Sequence, residues 1–177
     1  MPVGVMVSVE EYLSTAFETD CDYVDGELIE RNMGESDHSG IQMALAALLY
    51  SQRRALGIHV FPELRVQIGP KRYRVPDIAV TTRKIQGRIL REPPLLWIEI
   101  LSPEDRMSRI EAKIGEVLEF GVPYVWVLDP RLGKAWTYTK DGRREAVDIL
   151  TVPNPKITVK LADILSALDE DVEPEQN

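Results

Sequence analysis

Two carboxylates sit where the surrounding residues have little room for them. In "RYRVPDIAV" (72–80), Asp77 follows Pro76 inside a run whose Val75, Ile78, Ala79 and Val80 belong to a core. In "LLWIEILS" (95–102), Glu99 stands among Trp97, Ile98, Ile100 and Leu101. Proline gives up a ladder hydrogen bond and belongs on a strand edge or at a bulge. An unpaired carboxylate is costly to bury, and two buried close together without a cation repel one another. A hard divalent ion resolves both problems, since Mg²⁺ takes carboxylate oxygens and keeps several waters. Such an ion can polarise a phosphodiester and lower the pKa of a bound water. Taken singly, a Pro-Asp dipeptide also serves as an ordinary turn or cap.

A third group should then orient the water or offset the charge of the transition state, and Lys113 is the candidate. "SRIEAKIGEVLEFG" (108–121) has helical periodicity, and Ser108 with Glu111 has capping-box spacing. If Ser108 caps the helix, Lys113 lies about 7.5 Å along the axis from the cap. From there it can reach back toward the strand end carrying Glu99. Alone, a lysine on that helix reads as a solvated residue.

The elements that must position these groups follow from the same sequence. "SVEEYL" opens a helix with a Ser8–Glu11 capping box, and "CDYVDGELIERN" reads as a hairpin turned at Asp25-Gly26. A helix from about Asp37 to Leu56 carries Ile41, Leu45, Leu48 and Leu49 on one stripe and stops at Gly57. "IHVFPELRVQI" and "YRVPDIAVT" are expected to be two strands joined through "GPKR". "LLWIEILS" and "PYVWVLD" are nearly continuous apolar runs, the pattern of strands covered on both faces. With the helix between them they predict a right-handed βαβ unit. "KAWTYTKDGRREAVDIL" predicts a hairpin at Asp141-Gly142, and "KITVKLADILSAL" a short strand and a last helix. The fold class is therefore α/β, a mixed central sheet flanked by helices. Residues 1–168 form one domain, and 169–177 an acidic tail.

Charge and composition bound the partners. The net charge of −8 at pH 7 argues against nucleic acid, because affinity there comes largely from Lys and Arg on phosphates. The charge is uneven, however. Residues 71–92 hold seven basic side chains (Lys71, Arg72, Arg74, Arg83, Lys84, Arg88, Arg91) against Asp77 and Glu92, and 131–144 hold five against one. These are either basic loops on a solvated surface or phosphate contacts. The single cysteine, Cys21, excludes an internal disulfide framework. With no apolar run of membrane-helix length and no signal-peptide pattern, the expectation is a cytoplasmic protein that does not enter the membrane. His38, His59 and Cys21 have no recognised zinc spacing, and no Gly-rich loop precedes a Lys-Ser or Lys-Thr pair.

"SVEEYL", "DYVDGELIE", "SDHSGIQ", "VPDIAV", "IEILSP" and "GVPYVWVLDP" occur in this order over most of the chain. Together with Asp77, Glu99 and Lys113, they resemble the Uma-type family of putative restriction endonucleases in the P-D-(D/E)-x-K nuclease superfamily. The resemblance implies a restriction-endonuclease-like fold and Mg²⁺-dependent cleavage of DNA, with Mn²⁺ as a substitute ion. It assigns Asp77 and Glu99 to the metal and Lys113 to catalysis. The superfamily's lysine usually lies two residues after the second acid, where this chain has Leu101; in this family it comes from the following helix. The resemblance adds Asp22 and His38 as possible site members, Asp22 replacing a family glutamate. Val117 stands where a tyrosine is common. The alternative is a catalytically weak or inactive nuclease-fold module that binds nucleic acid or protein. Trp126, Trp136 and Tyr138 on the C-terminal strands further suggest a homodimer closing a sheet edge, the alternative being that they pack under the last helix.

Overall fold

The computed structural model describes residues 6–17, 21–31 and 35–168. The acidic tail expected at 169–177 lies outside the described residues. Helix α1 (Val9–Ser14) starts where the capping box puts it, with Ser8 Oγ accepting the Glu11 N–H at 3.1 Å. Strands β1 (Cys21–Val24) and β2 (Glu27–Glu30) pair antiparallel around Asp25-Gly26. Both turn residues have positive φ, 51° and 103°, as the two-residue hairpin requires. Helix α2 (Ser36–Leu56) buries Ile41, Leu45 and Leu49 and ends at Gly57 in the left-handed region.

The two long strands expected next are each broken in two. The first becomes β3 (His59–Pro62) and β4 (Val66–Gly69); the second becomes β5 (Arg72–Arg74) and β6 (Ile78–Thr81). β4 and β5 join the hairpin in a four-stranded sheet ordered β2-β1-β5-β4, whereas β3 and β6 belong to a six-stranded sheet. The ribbon bends at two facing corners, Glu63 with φ 50° and Pro76-Asp77, and the Glu63 N–H donates to the Asp77 carbonyl at 3.1 Å. Pro76 is thus not a misfit within one strand. It lies at a corner between two sheets, where a ladder donor is not required.

The six-stranded sheet runs β10-β9-β8-β7-β6-β3, adding β7 (Leu96–Ile100), β8 (Tyr124–Asp129), β9 (Lys134–Thr139) and β10 (Gly142–Ala146). β7 and β8 are parallel neighbours joined by helix α3 (Met107–Phe120), which is the expected βαβ unit. The Ser108 capping box is not used: Arg106 is the N-cap and makes no side-chain cap bond. Asp105 Oδ2 instead accepts the Ser102 N–H at 2.7 Å, shaping the turn before the helix so that it begins earlier. The last hairpin turns on Lys140-Asp141, with Gly142 already opposite Thr139. A two-stranded sheet of β11 (Ile149–Val152) and β12 (Ile157–Lys160) leads into α4 (Leu161–Leu165).

Alternation along β7 feeds two cores. Leu96, Ile98 and Ile100 pack with α2 residues and Trp126, while Trp97 and Leu101 pack with Ile110, Ile114 and Val117 of α3. Trp126 is fully buried, and Tyr138 and Trp136 pack in the α3 core, so these aromatics do not form an exposed edge. The edge strand is β10, whose Arg143, Arg144 and Glu145 supply charges that discourage pairing. Among the described residues, no helix is long and apolar enough to cross a membrane.

Candidate functional site

The register sets the two acids opposite one another. Ile78 pairs with Ile98, and the next step outward brings Asp77 to the level of Glu99. Directly opposed positions of an antiparallel pair share a face. Both side chains are buried and line one cavity of about 220 Å³, together with Asp22, Arg31, His38, Arg74, Lys113, Asp105 and Arg109.

Asp77 is held on every side. Its Oδ2 accepts the Ile100 N–H at 2.6 Å, and its Oδ1 meets Arg31 Nη2 at 2.5 Å and His38 Nε2 at 3.4 Å. Its carbonyl accepts from Gln42 Nε2 at 3.0 Å. Burial alone would raise the Asp77 carboxyl, but the His38 hydrogen bond and the Arg31 guanidinium outweigh it and hold it below the ordinary aspartate value. The same Asp77 contact outweighs burial at His38 and raises the imidazole.

Glu99 is served by a different cation. Lys113 Nζ lies 2.7 Å from Glu99 Oε1, and the Trp97 indole N–H donates to the same oxygen at 2.5 Å. Lys113 also donates to the Val75 carbonyl at 3.3 Å and lies 3.7 Å from Asp22 Oδ2. Burial pushes Glu99 up, the Asp77 charge adds to this, and Lys113 and Trp97 only partly offset it. Burial would lower Lys113, but Asp22 and Glu99 prevail and raise it, so this side chain is a cation at neutral pH. The expected repulsion between the two acids is therefore answered from within the chain, by Arg31 for one and Lys113 for the other.

Asp22 is buried in the hairpin, where it accepts the Val75 N–H at 2.8 Å and pairs with Arg74 Nη1 at 3.0 Å. It thereby ties β1 to the corner that presents Asp77. Arg74 is itself buried and bridges Asp22 to Glu116 on α3 at 2.8 Å. Arg74 and Arg72, which pairs with Asp25 at 2.8 Å, are thus engaged within the protein and drop out of the basic run at 71–92. Arg83, Lys84, Arg88 and Arg91 of that run are exposed. Val117 is buried in the α3 core.

The structure thus brings all five sequence-nominated residues, Asp22, His38, Asp77, Glu99 and Lys113, into one cluster. Sequence reasoning missed Arg31, Arg74, Glu116, Gln42 and Trp97. Two of these carried a signal: Gln42 is four residues after His38 on one helix face, and Trp97 is two residues before Glu99 on one strand face. Arg31 and Arg74 carried none, because their partners lie 46 and 52 residues away.

Asp77 and Glu99 offer hard oxygen donors, which fit Mg²⁺ or Mn²⁺. Among the described residues no group of three or more His, Cys, Asp or Glu could hold a metal ion, so the two acids alone are an incomplete protein ligand set.

Comparison with solved structures gives a crystal structure titled as a putative nuclease belonging to DUF820 from Anabaena variabilis ATCC 29413. The two are 24% identical with a TM-score of 0.78, over 92% of this chain and 99% of that one, which shows a shared fold. A cryo-electron microscopy structure titled DrdV-DNA complex matches at 16% identity and a TM-score of 0.44, over 80% of this chain and 12% of that one. No curated protein matches the chain. The family model Uma2, described as "Putative restriction endonuclease", matches residues 9–169. With nearly its whole described length matched, the chain belongs to the Uma2 family.

Proposed function

We propose that the protein is a metal-dependent endonuclease that hydrolyses DNA phosphodiester bonds in the cytoplasm. One observation carries this reading: Asp77, Glu99 and Lys113 converge on a single cavity, with Lys113 Nζ 2.7 Å from Glu99. Asp77 and Glu99 would hold Mg²⁺, or Mn²⁺ in its place. Bound there, the ion supplies Lewis-acid polarisation of the phosphodiester and a more acidic water. Lys113, raised by Asp22 and Glu99 against the effect of burial, enters as a cation. It orients the attacking water or offsets developing negative charge. Asp22 and His38 act as supports, the first fixing the Val75 corner and the second holding Asp77 ionised. Exposed Arg83, Lys84, Arg88 and Arg91 supply phosphate contacts for the DNA.

The rival reading, a non-catalytic module of the same fold, is favoured by the completeness of the ion pairs at Asp77 and Glu99. Incubation of duplex DNA with Mg²⁺ or Mn²⁺ separates the two. The enzyme reading expects cleavage by the native chain and none by Asp77→Ala; equal cleavage by both, or none by either, rejects it. A homodimer through the C-terminal strands would have to use the charged β10 edge, and light scattering giving only the 20.1 kDa monomer rejects it.

A further inference from the structure

On the reading that Asp77 holds a divalent ion, we infer that Arg31 competes with that ion and then transfers to a phosphate of the substrate. Both Asp77 oxygens are committed: Oδ2 to the Ile100 N–H, and Oδ1 to Arg31 and His38. The first partner is main chain and cannot leave without unpairing the corner. The Arg31 guanidinium ends a flexible side chain, one residue beyond the end of β2, and keeps 17% of its surface exposed. An ion taking Oδ1 therefore has to compete with Arg31, a permanent cation at 2.5 Å, whereas His38 at 3.4 Å can yield by losing its proton.

The displaced guanidinium remains on the wall of the same cavity. Arg74 there is tied to Asp22 and Glu116, and Lys113 to Glu99, so those two cations are already committed. What the cavity would gain is a planar, always-charged donor fork beside the ion, which matches two phosphate oxygens. Ion entry and phosphate capture then share one side chain. Each favours the other, since a coupling between two ligands is reciprocal.

Three proteins test this: native, Arg31→Ala and Arg31→Lys. The first measurement is Mn²⁺ binding alone, by electron paramagnetic resonance; the second is the anisotropy of a short labelled DNA duplex with Ca²⁺ in saturating amount. A neighbouring arginine commonly lowers a carboxylate's affinity for a proton by about tenfold or more, and a metal cation meets the same charge. Arg31→Ala should bind Mn²⁺ at least that much tighter than native, with Arg31→Lys close to native. The duplex should bind Arg31→Ala more weakly even at full metal occupancy. If Arg31→Ala unfolds without metal, Mn²⁺ should restore it, and failure to do so overturns the inference. Mn²⁺ affinity unchanged in Arg31→Ala, or raised equally in Arg31→Lys, removes the competition; unchanged duplex binding removes the transfer. If the native protein binds no Mn²⁺, the metal reading beneath the inference falls instead.

Discussion

Replacing Lys113 by methionine keeps much of the side chain's bulk and deletes its charge. Glu99 would then be a buried carboxylate whose remaining named donor is the Trp97 indole. Breaking a buried pair by removing one partner typically costs about 3–5 kcal/mol. A ceiling can be worked from protonation, because Glu99 can always escape by taking a proton. Against its ordinary value of 4.5, that costs about 3.4 kcal/mol at pH 7 (about 1.36 kcal/mol for each unit). Loss of Lys113 removes the strongest influence lowering a carboxyl already raised by burial. The folded value therefore moves further above the unfolded one. Stability is then lost as pH rises from the unfolded value through the folded one. Urea denaturation at several pH values should show Lys113→Met weaker than native by up to about 3 kcal/mol at pH 7, the deficit shrinking toward acid pH by at most about 1.4 kcal/mol per unit. Adding Glu99→Gln should recover most of it. A deficit under about 0.5 kcal/mol, as for an exposed lysine, or one independent of pH, refutes the assignment of Lys113 to Glu99.

Three further outcomes are expected. Asp77→Asn should lower metal-free stability by about 1–3 kcal/mol, because Arg31 and His38 lose their counter-charge; thermal melts showing an equal or higher midpoint would mean that the acids repel after all. Mg²⁺ at about a hundred times its dissociation constant should stabilise the native protein by about 2.7 kcal/mol and leave Asp77→Asn unmoved, as calorimetry can check. The raised His38 value means its contribution is fully present below the ordinary value of 6.5 and is lost as pH rises through the folded one; His38→Gln should therefore cost more stability at pH 5.5 than at pH 8.5, and an equal cost at both would sever it from Asp77.

The βαβ unit was legible because its signals are local: two apolar runs, a 3.6-residue stripe between them and Gly121 at the helix end. The acids were legible for the opposite reason, as polar residues in stretches that otherwise read as core. The division into two sheets was not. On both sides of Pro76 the chain is extended, and nothing in a period of two says that it changes sheets at the corner. The aromatics carry the same ambiguity. Trp126 and Tyr138 are as apolar as an interface needs, but the order β10-β9-β8 puts a charged strand outside them. The helix start was displaced because Ser108-x-x-Glu111 satisfies a pattern while the Ser102–Asp105 turn delivers the chain to the helix sooner.

The ribbon that bends at Glu63 and Asp77 has a consequence for how the protein is made. Two of the pocket's ion pairs join residues far apart in sequence: 46 positions for Arg31 with Asp77, 52 for Arg74 with Asp22. Contacts of that range are entropically expensive to close and reward the chain late in folding. A chain still emerging from the ribosome holds Asp77 and Arg31 long before Glu99 and Lys113 exist. A piece that ends before Lys113 lacks a member of the pocket, so on the proposed reading such a nascent or truncated product carries no cutting activity. Refolding followed in Mn²⁺ should show ion uptake rising together with burial of the tryptophans, and uptake that leads it would mean that the acids meet before the sheets do.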